Sequence, residues 1–162
     1  MTAHDPPRSR YVRPDENEGE RLDRHWNELL QELRLAQTGT QILFAFLLSI
    51  AFTNRFQDAD RYTHGIFACT LVASALAMGL FLAPVSFHRI VFQKHLRDRM
   101  IPLADRMARG GLILLLVAIS GGVLLALDVV VPRPMALTIV SLVFVWFIIF
   151  WYVLPTWIRR NG

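Results

Sequence analysis

The chain has a single cysteine, Cys69, in 162 residues. No internal disulfide can form, and the place of Cys69 inside an apolar run reads as that of a small buried hydrophobe. The first 20 residues lack any apolar core and carry Pro6, Pro7 and Pro14. They are expected to form neither a secretory signal nor an anchor, and residues 1–19 read as a disordered tail. Ionisable groups are missing from the middles of the long apolar runs: around Phe44, Ala73, Ile119 and Val145 there is no Asp, Glu, Lys, Arg or His. Proton-coupled transporters generally keep such a group deep in the membrane to take up and release the proton. Its absence argues against a self-sufficient antiporter. A basic groove with interleaved aromatics is also absent, so nucleic acid is not an expected partner. With no catalytic or ligand signature above background, neither an enzyme nor a cofactor is expected.

What the chain does have is apolar length. It is 54% hydrophobic with a mean hydropathy of +0.38, yet its 17 basic and 13 acidic residues fall almost entirely between the apolar runs. Runs of 20, 27, 18 and 25 residues free of Asp, Glu, Lys and Arg separate Arg34 from Arg55, Arg61 from Arg89, Arg109 from Asp128, and Arg133 from Arg159. Each meets the roughly 17 to 25 residues that a helix needs to cross a hydrocarbon core of about 30 Å. Lipid offers the backbone no hydrogen bonds, so four such runs imply four helices. The expected class is an all-α integral membrane four-helix bundle with helical extensions, its spans at about 35–54, 62–84, 110–129 and 135–156, within a membrane domain of 20–158. One side of that threading holds 14 Lys and Arg and the other three. The positive-inside rule then places both termini and the 85–109 hairpin in the cytoplasm, with the plasma membrane as the expected location.

Along the chain, Asn17 followed by Glu20 reads as a helix start. Trp26, Leu29, Leu30, Leu33, Gln37, Thr40 and Phe44 then recur every three or four residues, so one helix is expected from about Glu20 to Phe52, with Glu20, Arg24 and Glu28 paired at i,i+4 on its charged face. The second span is expected to continue past Pro84, with a kink there, and to project beyond the membrane through Phe87, Ile90 and Val91. Pro102 suits the first turn of the next helix.

Several groups are candidates for a role. Gln37, Thr38 and Gln41 lie inside the first span near its cytoplasmic end, where amides usually bond to another helix and can also line a polar vestibule. Glu28 and Glu32 lie at a depth similar to Arg89, Arg106 and Arg109, so ion pairs across the cytoplasmic collar are expected, Glu32 with Arg106 among them. Gly39, the Ala75, Gly79 and Ala83 set, and the Ala118, Gly122 and Ala126 set read as helix-packing positions. The last two sets sit at different depths, so one can face another subunit. His25, His88 and His95 are too widely spaced for a metal site, and no metal is expected; His64 is expected to be merely hydrated. Trp26, Tyr62, Trp151, Tyr152 and Trp157 read as interfacial aromatics. Arg89, Lys94, Arg97 and Arg99 form a basic group suited to anionic lipid head groups.

The blocks WNELLQELRLAQTGTQILFAFLLSIAF, RFQDADRYTHGIFACTLVASALA, APVSFHRIVF and ADRMARGGL, covering roughly residues 20 to 155, resemble a family of small, mainly actinobacterial four-span proteins of unknown function. Some members carry an automatic sodium:proton antiporter label, which the empty mid-membrane positions here do not support. The expected role is structural, accessory or interactive, as a homo-oligomer or within a larger membrane complex. The alternative is a small transporter or channel whose path runs between subunits along Gln37, Gln41 and Glu32.

Overall fold

The computed structural model describes residues 18–91 and 97–161, with backbone alone at residues 18, 19, 22, 88–91 and 97–101. The expected tail, the capping Asn17, and the side chains of His88, Arg89, Lys94, His95, Arg97 and Arg99 therefore lie outside the described residues. Every described element is helical: α1 (Glu18–Ala51), the single turn α2 (Asn54–Gln57), α3 (Arg61–Val91), α4 (Arg97–Leu127), α5 (Arg133–Ile148), a π-helical turn (Ile149–Val153) and α6 (Leu154–Asn161). Four helical stretches are long and apolar enough to cross a membrane: Asp23–Ala51, Arg61–Phe87, Pro102–Leu127 and Arg133–Asn161.

α1, α3 and α4 pack together, α3 against α4 most extensively, and α5 lies along α4. Two apolar clusters hold the first three helices. Leu33, Ala77, Phe81 and Leu115 form one, and Leu47, Phe67 and Leu125 form the other, toward the loops at 52–60 and 128–132. The stripe of Trp26, Leu29, Leu30, Leu33, Gln37, Thr40 and Phe44 is indeed the inner face of α1, each of them buried or half-buried. The α3–α4 seam depends on two glycines. A Cβ on Gly121 would sit 2.0 Å from Thr70 Oγ1, and one on Gly111 would sit 2.5 Å from the Phe81 ring. Only hydrogen at these positions lets the two backbones approach so closely.

Prolines mark the other irregularities. Pro84 is fully buried within α3. Pro102 lies inside α4 rather than in its first turn, because the helix already begins at Arg97. Its missing amide forfeits the bond that would have gone to the carbonyl of Asp98. In the fourth span Pro155 likewise cannot donate to the carbonyl of Trp151. Just before it the helix widens, and the Leu154 amide donates to the Ile149 carbonyl five residues back. A π turn is one way a helix accommodates a proline without breaking. That turn carries Trp151, which packs on the cluster of Leu33, Ala77, Phe81 and Leu115.

Candidate functional site

At mid-height, between the two apolar clusters, four hydroxyls are buried: Thr40 on α1, Thr70 and Ser74 on α3, and Ser120 on α4. Thr40 lies midway between Leu33 and Leu47, and Ser120 midway between Leu115 and Leu125, residues that belong to the two clusters. Each hydroxyl donates to a carbonyl of its own helix: Thr40 to Ala36 at 2.7 Å, Thr70 to Ile66 at 2.7 Å, Ser74 to Leu71 at 2.8 Å and Ser120 to Leu116 at 2.8 Å. Their protons are committed locally, as is usual for such residues within apolar helices. What remains is a layer of oxygen lone pairs. A neutral, locally satisfied layer can tighten packing, but it holds no group that exchanges a proton near neutral pH.

The loop end carries a second polar construction. Arg133, at the start of α5, donates from Nη2 to Asp60 Oδ2 at 2.9 Å, and from Nε and Nη2 to the two carboxylate oxygens of Asp128 at 3.2 Å each. Its guanidinium also lies 4.3 Å above the Tyr62 ring. Asp60 caps α3, its Oδ1 accepting the Thr63 amide at 2.9 Å and the Thr63 hydroxyl at 2.6 Å. These two Thr63 bonds, and then Arg133, hold the Asp60 carboxyl down to about 2, below its ordinary 3.8. His64, expected to be only hydrated, instead has Nδ1 3.0 Å from the Asp60 carbonyl and its ring 4.6 Å from Phe56. The arrangement ties the α2–α3 loop to the α4–α5 loop. Beside it, a cleft of about 400 Å³ is lined by Ile50, Arg55, Phe56, Leu125 and Asp128.

The residues singled out from sequence fall into three groups. Gln37 is half-buried on α1, whereas Thr38 and Gln41 are exposed. Thr38 donates to the Arg34 carbonyl at 2.9 Å, and the Gln41 side chain has no hydrogen-bond partner among the described residues. In the charge cluster, Arg24 pairs with Glu28 at 3.4 Å and Arg109 pairs with Asp105, both within one helix. Glu32 and Arg106 are both exposed, and no ion pair joins them among the described residues. The Arg89 side chain lies outside the described residues.

The packing positions divide by face. Ala118 is fully buried and a Cβ on Gly122 would stand 3.2 Å from Leu43 of α1, while Ala126 is exposed. Gly39 and Gly122 line an apolar groove of about 430 Å³ between α1 and α4 that Trp151 borders. On α3, Ala75 and Gly79 are exposed and Ala83 half-buried, so that set is turned largely away from the other helices. Cys69 corrects the expectation of a buried thiol: it is exposed. Lying within an apolar run does not decide which side of a membrane helix faces protein. Trp151, expected at an interface, packs on the core, while Trp157 is exposed. The Tyr152 hydroxyl is enclosed without a partner among the described residues. Gly111, Gly121, Thr70, Ser74, Ser120 and the Asp60–Arg133–Asp128 group were not singled out from sequence. The doubled glycines at 110–111 and 121–122 were the available signal for the seam.

Four apolar helices long enough to span, their charges gathered at the ends and a neutral mid-layer between them, fit a multi-pass membrane protein. The model of a family of unknown function (DUF6328) matches residues 15–155, and the chain belongs to that family. No curated protein and no solved structure matches it.

Proposed function

We propose that the chain is a plasma-membrane protein with both termini in the cytoplasm, and that it serves a structural or accessory role, not a catalytic one, by associating with further copies of itself. The distribution of 14 basic residues on one side against three on the other supports that threading. The observation that carries the association is Gln41. It stands seven residues beyond Arg34, about 10 Å into the apolar layer at 1.5 Å per residue. It is exposed, and hydrocarbon cannot satisfy its amide. Thr38 and Ser49 are also exposed, but their hydroxyls return to the Arg34 and Ala45 carbonyls, so among the exposed Leu35, Ile42 and Phe46 the Gln41 side chain is the polar group left without a partner among the described residues. An amide offers both donor and acceptor, and a second α1 across a two-fold axis supplies the reciprocal pair. Interhelical bonds of this kind contribute about 0.6 to 2 kcal/mol.

Counting subunits by single-molecule photobleaching in native-membrane particles tests the proposal. Oligomers are expected for the wild type and a shift toward monomers for Gln41→Leu. Monomers in both would overturn it. Proton flux into proteoliposomes that disappears in Gln41→Leu would favour instead a transporter whose path runs between copies.

A further inference from the structure

On the side of the molecule away from α1, a groove of about 500 Å³ runs between α3, α4 and α5. Arg61 stands at its loop end, and Gly65, Cys69, Thr70, Val117, Ser120 and Gly121 line it inward from there. From Arg61 to Thr70 is nine residues of α3, about 14 Å at 1.5 Å per residue. Half of a hydrocarbon core about 30 Å thick is nearly the same length. The groove therefore covers one leaflet, from the interface to mid-bilayer. An extended acyl chain reaching from the interface to mid-bilayer matches that length.

The charge at the mouth selects the head group. Asp60, the nearest acid in sequence, has Oδ1 held by Thr63 and Oδ2 by Arg133, and Asp128 is likewise held by Arg133. Among the described residues no carboxylate lies within 4 Å of the Arg61 guanidinium. It remains a positive charge at the rim of an apolar slot, placed to meet a phosphate. We propose that this groove binds an anionic glycerophospholipid, with one acyl chain between α3, α4 and α5 and the head-group phosphate on Arg61.

Native mass spectrometry of the detergent-solubilised protein, titrated with phosphatidylglycerol or phosphatidylcholine, tests the assignment. Wild-type protein is expected to retain phosphatidylglycerol at least fivefold more strongly, and Arg61→Gln to lose that preference, the effect of about one basic side chain near a head group. Gly65→Leu is the second probe. A Cβ at Gly65 meets nothing within 4 Å, so the variant keeps the fold while its side chain occupies the slot, and retention of both lipids should fall. Equal retention of the two lipids by wild type, or unchanged phosphatidylglycerol retention in both variants, would overturn the proposal. So would a change of subunit number in Gly65→Leu without a change in lipid retention, because the groove would then be a protein interface.

Discussion

The α3–α4 seam and the fourth span are built from similar apolar sequence to opposite ends. A third of the most apolar stretch of α3, and of α4, is buried inside the molecule, against 6% in the fourth span. In α5 only Ala136 and Val140 are buried, while Leu142, Val145 and Trp146 are exposed. Lipid is as apolar as leucine, so exposing those side chains costs little in a membrane. What binds helices there is close approach and polar contact. The seam has the close approach, at Gly111 and Gly121, with the small, locally satisfied hydroxyls packed beside it. The fourth span has Trp151 and, at its start, Arg133.

The contrast is sharpest at Gly121. Gly121→Ala should destabilise the protein by about 1–3 kcal/mol, toward the upper end because the atom in the way belongs to stiff, β-branched Thr70. Thr70→Ala in the same chain should recover part of the loss, since it removes the Oγ1 atom 2.0 Å from the new Cβ. A double-mutant cycle read by unfolding in mixed micelles checks this, and additive losses would break the account of the seam. Gln41→Leu should leave the fold intact and weaken self-association roughly threefold to thirtyfold, measured by dilution in liposomes.

At the loop end the effect is smaller and depends on pH. Because Asp60 is held down to about 2, its carboxylate contributes fully above its unfolded value and loses that contribution as pH falls through the folded one. The melting-temperature deficit of Asp60→Asn is therefore expected to be constant above about pH 5 and to disappear toward pH 2. A deficit that grew with acidity would contradict the assignment. Smallest of all, Leu142→Ala on the exposed side of α5 should leave stability within about 0.5 kcal/mol of wild type. A loss as large as that of Gly121→Ala would mean that another surface covers α5.

How far these features could be read beforehand follows from the same physics. The spans and the inner stripe of α1 were legible because α1 mixes polar and apolar residues, which makes its periodicity visible at Leu33, Gln37 and Thr40. In α3 nearly every residue is apolar or small, so nothing in the pattern separates the lipid side from the protein side. That is why Cys69 was placed inside and why Ala75 and Gly79 were expected in contact. The Asp60–Arg133 pair joins positions 73 apart on different loops, and no local rule brings them together. The seam glycines were visible only as doubled residues, with nothing to say that Gly110 and Gly111 both face α3, at Leu80 and Phe81, whereas Gly121 faces α3 and Gly122 faces Leu43 of α1.

The central claim is that the outward face of α1 is covered by a second α1, whereas the outward face of α5 is covered by lipid. Disulfide trapping in native membranes tests it directly, using Ala45→Cys or Leu142→Cys in a Cys69→Ser background. Ala45→Cys should give a cross-linked dimer whose yield Gln41→Leu lowers, and Leu142→Cys should give none. Equal cross-linking at the two positions, or an Ala45→Cys dimer indifferent to Gln41, would contradict it.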